Sequence, residues 1–390
     1  MLIGLCHQRF GPPHLARLKK LSEKYNCIGI EINSMDTDDA YEFCSGNGLE
    51  IVTLFNDDPL KYSFREVIKV FEEKLSPLKL DCIIIMGYTE RTRLCLYYYC
   101  IRHHIKIITL SDSNSFDYNR NSIPSRIKHY IKKKIIKLPG FFIAAGKTSA
   151  EYLKQLGVSP ELIIQGFDVV DNEYFMSMRQ KITNSKSNNI LFVGRLVERK
   201  NVIRLLKAYK IYNDKSEKKL KLVIAGFGKE EERIKKEIMQ LGLDKVVIFA
   251  GRTNNRDIYN LYYNCAYLIV PSISEQWGLV INEAMACGLP VLASDRCGAA
   301  YSLIKEGVNG YMFSPFDIID ISNKMLRMDY DDHIKMGQES LNIIRDWGLE
   351  KFISNVEYAI KHYNQKKYNY LDLVCLRMVI SFSKVRKDYE

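Results

Sequence analysis

Two kinds of hydrophobic pattern alternate along this chain. Short, continuous apolar and β-branched runs fall at Met1–Cys6, Cys27–Ile32, Leu49–Phe55, Asp81–Gly87, Ile105–Ser111 and Gly140–Gly146, and each predicts a strand. Between them, apolar residues recur at helical spacing, as in Leu15–Lys24 and Phe64–Leu75. Strand and helix in strict alternation predict a doubly wound α/β domain, with ligand sites at the carboxyl ends of the strands. The theme then repeats in Asn189–Gly194, Lys221–Gly226, Lys245–Gly251, Tyr267–Val270 and Leu289–Ser294. Separating the two series is Arg179–Asn189 (RQKITNSKSNN), which has the composition of a linker. The expected architecture is two Rossmann-like domains, residues 1–180 and 188–340, with a ligand crevice between them.

Residues 341–390 form a third segment. Leu341–Tyr363 reads as a helix. Beyond it, Leu371, Val374, Met378, Phe382 and Val385 share one face of an amphipathic stretch made basic by Arg377, Lys384, Arg386 and Lys387. Such an element could cap the fold, dimerise or lie on a membrane.

The richest local chemistry lies in Pro271–Ser294, PSISEQWGLVINEAMACGLPVLAS. A buried strand, Tyr267–Val270, runs into turn-formers, and Gly278 lets the backbone approach something closely. Leu279–Ala286 suits a helix, which Gly288-Leu289-Pro290 ends before the next strand. The N-terminus of that helix is a ready anion site. Glu275 precedes it and Glu283 lies about one turn inside, a carboxylate suited to sugar hydroxyls. The combination points to a nucleoside diphosphate attached to a sugar.

Glu275-x7-Glu283, followed by Ala284-Met285-Ala286-Cys287-Gly288-Leu289-Pro290-Val291, resembles the signature of retaining glycosyltransferases of family 4, which have the GT-B fold. In that fold Leu341–Tyr363 would cross back onto the first domain. The resemblance implies that Glu275 contacts the sugar or its reacting face and that Glu283 grips the ribose. Backbone N–H groups of Trp277, Gly278 and Leu279 would complete a phosphate cradle. Arg195 and Lys200, after the strand Asn189–Gly194, match the family's Arg and Lys that hold the donor diphosphate and stabilise the leaving group. Gly226-Phe227-Gly228 resembles the Gly-rich turn beside the nucleotide, and Gly251-Arg252-Thr253 the segment whose backbone meets the base. Charge building on the departing phosphate would be met by Arg195, Lys200 and the helix terminus, the role a metal plays in other transferases. No cofactor is implied beyond the nucleotide-sugar substrate. The acceptor hydroxyl would lose its proton to that phosphate on the same face of the sugar.

The first domain departs from the family pattern. Relatives carry several glycines in the loop after the first strand, which let backbone amides approach the donor; here that loop, Gln8–His14, has one, Gly11, which could still bind the donor. His14 could touch acceptor or donor, or cap the helix that follows. Where relatives place a histidine after the strand matching Ile105–Ser111, this chain has Ser111-Asp112-Ser113-Asn114. Asp112 could bind a hydroxyl or cap a helix. Gly146-Lys147-Thr148-Ser149 lacks the earlier glycine of a phosphate loop and reads as a turn into the helix Ala150–Leu156.

Composition adjusts this picture at the edges. With 390 residues, 47% hydrophobic and 26% charged, the chain is an ordinary globular enzyme in make-up. Its ten cysteines are scattered without a Cys-x-x-Cys pair, which favours reduced, buried thiols in a cytosolic protein. The first residues read as a strand rather than a signal peptide, and no apolar run reaches transmembrane length. The formal net charge of +11 concentrates in Ile123–Ile143, where Arg126, Lys128, Lys132, Lys133, Lys134 and Lys137 line a helical pattern. That segment is either a solvated basic face or a patch for anionic lipid. Nothing in it resembles a nucleic-acid-binding motif. Asp36-Thr37-Asp38 has the Asp-x-Asp pattern of metal-dependent transferases, but stands in a polar loop without a second metal-binding constellation, and reads as a solvated turn.

The expectation is a cytoplasmic glycosyltransferase, peripheral on the membrane's inner face. It would move a hexose-type sugar to a glycan or lipid-linked acceptor in bacterial surface polysaccharide or lipopolysaccharide biosynthesis. A nucleotide-sugar epimerase of the same two-lobed fold and a non-catalytic partner subunit are the alternatives.

Overall fold

The computed structural model describes residues 1–33, 48–116, 133–178, 189–253, 258–363 and 368–382. Asp36-Thr37-Asp38, residues 123–132 of the basic segment and most of the linker 179–189 lie outside them. The chain divides into two compact units, Met1–Asp168 with Leu349–Glu390, and Val169–Gly348.

The first unit is built on a seven-stranded sheet with strands β1 (Leu2–His7), β2 (Asn26–Asn33), β3 (Ile51–Phe55), β4 (Cys82–Met86), β5 (Lys106–Ser111), β6 (Phe141–Ala144) and β7 (Ile163–Gln165). Their order is β3-β2-β1-β4-β5-β6-β7, and every pair is parallel. In register, Leu5 faces Ile84, Ile84 faces Ile108 and Ile108 faces Phe141, all fully buried. Covering a parallel sheet on both faces leaves no room for polar alternation, and the strand sequences are accordingly solid apolar runs. The helix after β1 spans Pro12–Ser22, three residues earlier than its apolar pattern suggests. Its two leading prolines suit a first turn, where the missing N–H groups have no helical partner.

The second unit holds β8 (Asn189–Val193), β9 (Lys221–Ala225), β10 (Val247–Gly251), β11 (Tyr267–Val270), β12 (Val291–Ser294) and β13 (Gly310–Phe313), in the parallel order β10-β9-β8-β11-β12-β13. Both sheets therefore reverse direction beside their first strand, between β1 and β4 and between β8 and β11. Such a switch point, outside the carboxyl ends of the strands, is where open α/β sheets bind ligands.

The unit limits differ from those read in the sequence for reasons of packing. The helix Asn172–Met178 belongs with the second unit: Tyr263 Oη donates to the Phe175 carbonyl (2.7 Å) and Asn172 Nδ2 to that of Ile344 (2.7 Å). The stretch Leu341–Tyr363 is not one helix. His333–Ile344 ends in a 3-10 turn, Arg345–Trp347, and Gly348 is extended before the helix Leu349–Lys361 begins. That last helix is part of the first unit, where Asn355 Nδ2 donates to the carbonyls of Gln165 (2.7 Å) and Gly166 (3.0 Å).

The tail helix, Tyr370–Phe382, also packs on the first unit, burying Leu376 and Ile380. Nine cysteines lie among the described residues, all free; seven are buried, Cys27 is half-buried and Cys375 is exposed.

Candidate active site

In the second unit the loops that leave β8, β9 and β10 are stitched into one layer. Gly194 N–H donates to Ala225 O (3.0 Å), Leu196 N–H to Phe227 O (2.7 Å), Glu230 N–H to Leu196 O (2.9 Å) and Gly226 N–H to Gly251 O (2.8 Å). The layer demands glycine: a Cβ on Gly226 would collide with the Gly194 carbonyl, and one on Gly228 with that of Leu196. Arg252 lays its guanidinium over the Phe227 ring at 4.2 Å from the centroid. Arg195, Gly226 and Arg252 thus share the carboxyl edge of one sheet.

Lys200 closes a 3-10 turn, Glu198–Lys200, and the next residue fixes where it points. Asn201 adopts φ 61°, a left-handed conformation that Asn tolerates better than most side chains. From there its Nδ2 donates to Pro271 O (3.0 Å) and Pro315 O (2.9 Å), while Ile273 N–H donates to Arg199 O (2.9 Å). These bonds fasten the turn after β8 to the loop after β11, across the switch point. Lys200 Nζ consequently forms an ion pair with the Glu275 carboxylate, each side chain 13% exposed. Ser272 Oγ donates to the same carboxylate oxygen (3.2 Å). Burial pushes Glu275 upward, but Lys200, Arg199 and Ser272 outweigh it and hold the carboxyl below its usual range.

Gly278 opens the helix Leu279–Ala286 at φ 102°, where a Cβ would come within 2.9 Å of Cys297 Sγ and 3.3 Å of Glu275 Cγ. Trp277, expected to contribute its backbone, also anchors the turn with its side chain. Its ring is buried, stacks on Trp347 at 5.4 Å and donates from Nε1 to Asn282 Oδ1 (3.0 Å). Its carbonyl accepts from Cys297 Sγ (2.9 Å) and Ala299 N–H (3.0 Å). Leu279 starts the helix, and Ile281 N–H turns back to the Gly278 carbonyl (2.9 Å), which leaves the N–H groups of Leu279 and Val280 as the ones that helix geometry gives no intrahelical acceptor.

Glu283 sits one turn further on and is half-buried. Tyr262 Oη donates to its Oε2 at 2.6 Å. Burial pushes the Glu283 carboxyl up to about 7, with the Tyr262 bond pulling the other way. Tyr262 is fully buried on the short helix Ile258–Tyr263, and no local pattern singled it out.

The remaining expected residues lie at the carboxyl edge of the first unit's sheet. Gly11 N–H donates to His14 Nδ1 (3.0 Å), so His14 is the cap of its own helix. Gly11 has φ −107°, an ordinary extended conformation. The His14 ring stacks on His7 at 4.2 Å, and burial, then nearby Arg17, lowers its pKa to about 3. Asp112 is half-buried after β5.

What the sequence did not announce there is a concentration of buried polar atoms lacking a hydrogen-bond partner among the described residues: His7 Nε2, Tyr88 Oη, Arg93 Nε, Ser111 Oγ and Thr148 Oγ1. They end or follow β1, β4, β5 and β6. An unpaired buried polar atom is costly, and several along one sheet edge mark a place for a polar ligand or water. Thr148 and Ser149 begin the helix Lys147–Gln155, where the sequence reading placed a turn. Among the described residues no group of three or more His, Cys, Asp or Glu could hold a metal ion, and no helix is long and apolar enough to cross a membrane.

Residues 176–337, nearly all of the second unit, match the family described as "Glycosyl transferases group 1". The fold is GT-B. HepE from Anabaena, solved in complex with UDP and glucose, superimposes with a TM-score of 0.70 at 17% identity, over 93% of this chain and 99% of that one. An uncharacterized glycosyltransferase of Methanocaldococcus jannaschii is 29% identical over 224 residues, 55% of this chain and 53% of the relative. The poly(glycerol-phosphate) alpha-glucosyltransferase of Bacillus subtilis is 29% identical over 178 residues, 45% of this chain and 26% of that protein. The match thus spans about half of one relative and a quarter of the other.

Proposed function

We propose that this protein is a retaining glycosyltransferase of family 4 type, transferring a hexose-type sugar from a nucleoside-diphosphate sugar to a glycan or lipid-linked acceptor. The observation that carries the reading is the Lys200–Glu275 pair at the switch point of the second unit, inside the segment that matches glycosyl transferases group 1. Glu275 and Glu283 are the two carboxylates of the Glu-x7-Glu motif. Arg195 and Lys200 hold the donor diphosphate with the N-terminus of the helix Leu279–Ala286. Gly226 and Arg252 border the nucleotide, and Glu283 binds the ribose.

Breaking the sugar–phosphate bond leaves negative charge on the departing diphosphate. Two fixed cations and a helix N-terminus stabilise that charge without a metal ion. The acceptor hydroxyl attacks from the face the diphosphate leaves and passes its proton to a phosphate oxygen, so the anomeric configuration is kept. Gly11 lets the backbone of its loop approach the donor, and His14 and Asp112 belong to the acceptor or sugar side. The relative named for poly(glycerol phosphate) supports a polymeric acceptor, and the complex of HepE with UDP and glucose supports a nucleotide-sugar donor. We place the enzyme in the cytoplasm at the inner membrane face, with Ile123–Ile143 as one basic contact; its described lysines Lys133, Lys134 and Lys137 are exposed.

The test is a thermal-shift screen of nucleotide sugars followed by turnover with chelator present. A stabilising donor, with turnover cut at least 100-fold in Arg195→Ala, Lys200→Ala and Glu283→Ala, is the expected result. Unchanged turnover in all three folded variants sinks the site assignment. Conversion of the nucleotide sugar with no acceptor present would make the protein an epimerase.

A further inference from the structure

The helix Tyr370–Phe382 is apolar on two opposite faces. One face is accounted for: Leu376 and Ile380 are buried in the first unit, with Leu373 and Val379 packed beside them. On the other face Tyr370, Leu371 and Met378 are 79%, 68% and 49% exposed, with half-buried Val374 between them. Residues 370, 374 and 378 stand four apart, and 371 lies three before 374, so together they form one stripe. A helix apolar all round is normally covered all round, and a patch left open marks an interaction surface.

Charge selects what covers it. Asp372 is the sole acidic residue between Tyr370 and Phe382, and Arg377 is exposed beside the stripe. Just ahead of the helix, Tyr368 Oη donates to Leu138 O (2.6 Å). That bond ties the head of the helix to the segment carrying the exposed lysines Lys133, Lys134 and Lys137. In sequence, Lys384, Arg386 and Lys387 come next. A second copy docking on this face would set one basic rim against another. An anionic bilayer offers both an apolar layer and the opposite charge.

We infer that the outward stripe of Tyr370–Phe382 docks this protein on an anionic lipid surface. Leu371, Met378 and Tyr370 enter the boundary between headgroups and acyl chains, and Lys133, Lys134, Lys137 and Arg377 meet the headgroups. This surface is separate from the candidate active site and does not rest on the transferase reading.

The test is co-sedimentation of the full chain with vesicles of phosphatidylcholine alone and of phosphatidylcholine with phosphatidylglycerol. The expected result is retention on the anionic vesicles alone, weakening as salt rises. Leu371→Gln with Met378→Gln should cut that retention at least tenfold, with the melting temperature unchanged because both positions are exposed. Lys133→Gln with Lys137→Gln should weaken it about fivefold per residue. Retention that the Leu371/Met378 variant does not diminish, equal retention on neutral vesicles, or none at low salt overturns the inference. A lipid-free dimer that this variant dissociates overturns it too, and gives the face to a second copy.

Discussion

Lys200 and Glu275 form an ion pair between the loop after β8 and the loop after β11, each 13% exposed. A pair this shielded is sensitive to losing one member, because the survivor keeps its desolvation and loses its partner. Lys200→Ala should therefore destabilise the second unit by roughly 3 kcal/mol. Glu275→Gln, which keeps the shape and removes the charge, should cost less than half of that. In the double variant the two losses should fail to add, a coupling of more than about 1 kcal/mol. Urea unfolding of the four proteins measures it, and strict additivity would show that the pair contributes nothing.

The pH dependence of stability should carry the mark of Glu283. An isolated glutamate titrates near 4.5, and burial raises this one to about 7. The folded protein therefore holds a proton that the unfolded chain has released. Stability from this group is complete below pH ~4.5, falls as pH rises through about 7 and is then lost, by about 3 kcal/mol in all. Glu283→Gln removes the ionisation, so it should gain on the parent between pH 5 and 7 and level off above that. Tyr262→Phe deletes the bond that favours the carboxylate, and should move the falling limb to higher pH. Melting temperatures of the three proteins across that range decide it. Parallel curves would mean that Glu283 titrates as an exposed carboxylate does.

Much of the fold was legible because parallel strands buried on both faces leave solid apolar runs, as Ile83, Ile84 and Ile85 do. The two strands that were missed lack that signal. β7 is three residues long with Gln165 exposed, and β13 begins at Gly310, whose missing side chain lets the backbone press against Val291. Arg195, Gly226 and Glu275 were legible as short motifs at strand ends. Their supporting residues were not: Asn201 reaches Pro271 and Pro315 across 70 and 114 positions, and Tyr262 reaches Glu283 across 21. Such partners are chosen by the tertiary structure, and no local period announces them. The group of His7, Tyr88, Arg93, Ser111 and Thr148 escaped for the same reason, since its members come from four separate segments around the carboxyl edge of the first sheet.

Asn201 separates position from chemistry. Its amide joins the loops that carry Lys200 and Glu275, and its backbone is left-handed. Asn201→Ala loses the hydrogen bonds and strains the backbone, and should cost about 3 kcal/mol. Asn201→Gly loses the bonds but suits the backbone, and should cost about 1 kcal/mol less. If the amide positions Lys200, both variants should lower kcat by a similar factor of about ten or more despite their unequal stability. A kcat loss that follows stability instead would reduce Asn201 to a structural residue.

His14 makes the opposite pH prediction to Glu283. Its Nδ1 accepts the Gly11 N–H bond and therefore must carry no proton. Burial first and Arg17 second depress its pKa to about 3, against a hydrogen bond with Arg9 that acts to raise it. An unfolded histidine takes up a proton near 6.5, so the stability His14 confers is complete above that value. It is lost as pH falls through about 3, a span worth on the order of 4 kcal/mol. His7, stacked on His14 and likewise depressed by burial, adds to the same acid limb. His14→Asn keeps an acceptor near the Gly11 N–H and removes the titration. It should flatten the stability curve between pH 6.5 and 4, at a loss of about 1 kcal/mol at pH 8 from imperfect capping. Urea midpoints at both ends of that range provide the comparison. An acid limb as steep in His14→Asn as in the parent would assign the proton uptake to other groups, His7 first among them.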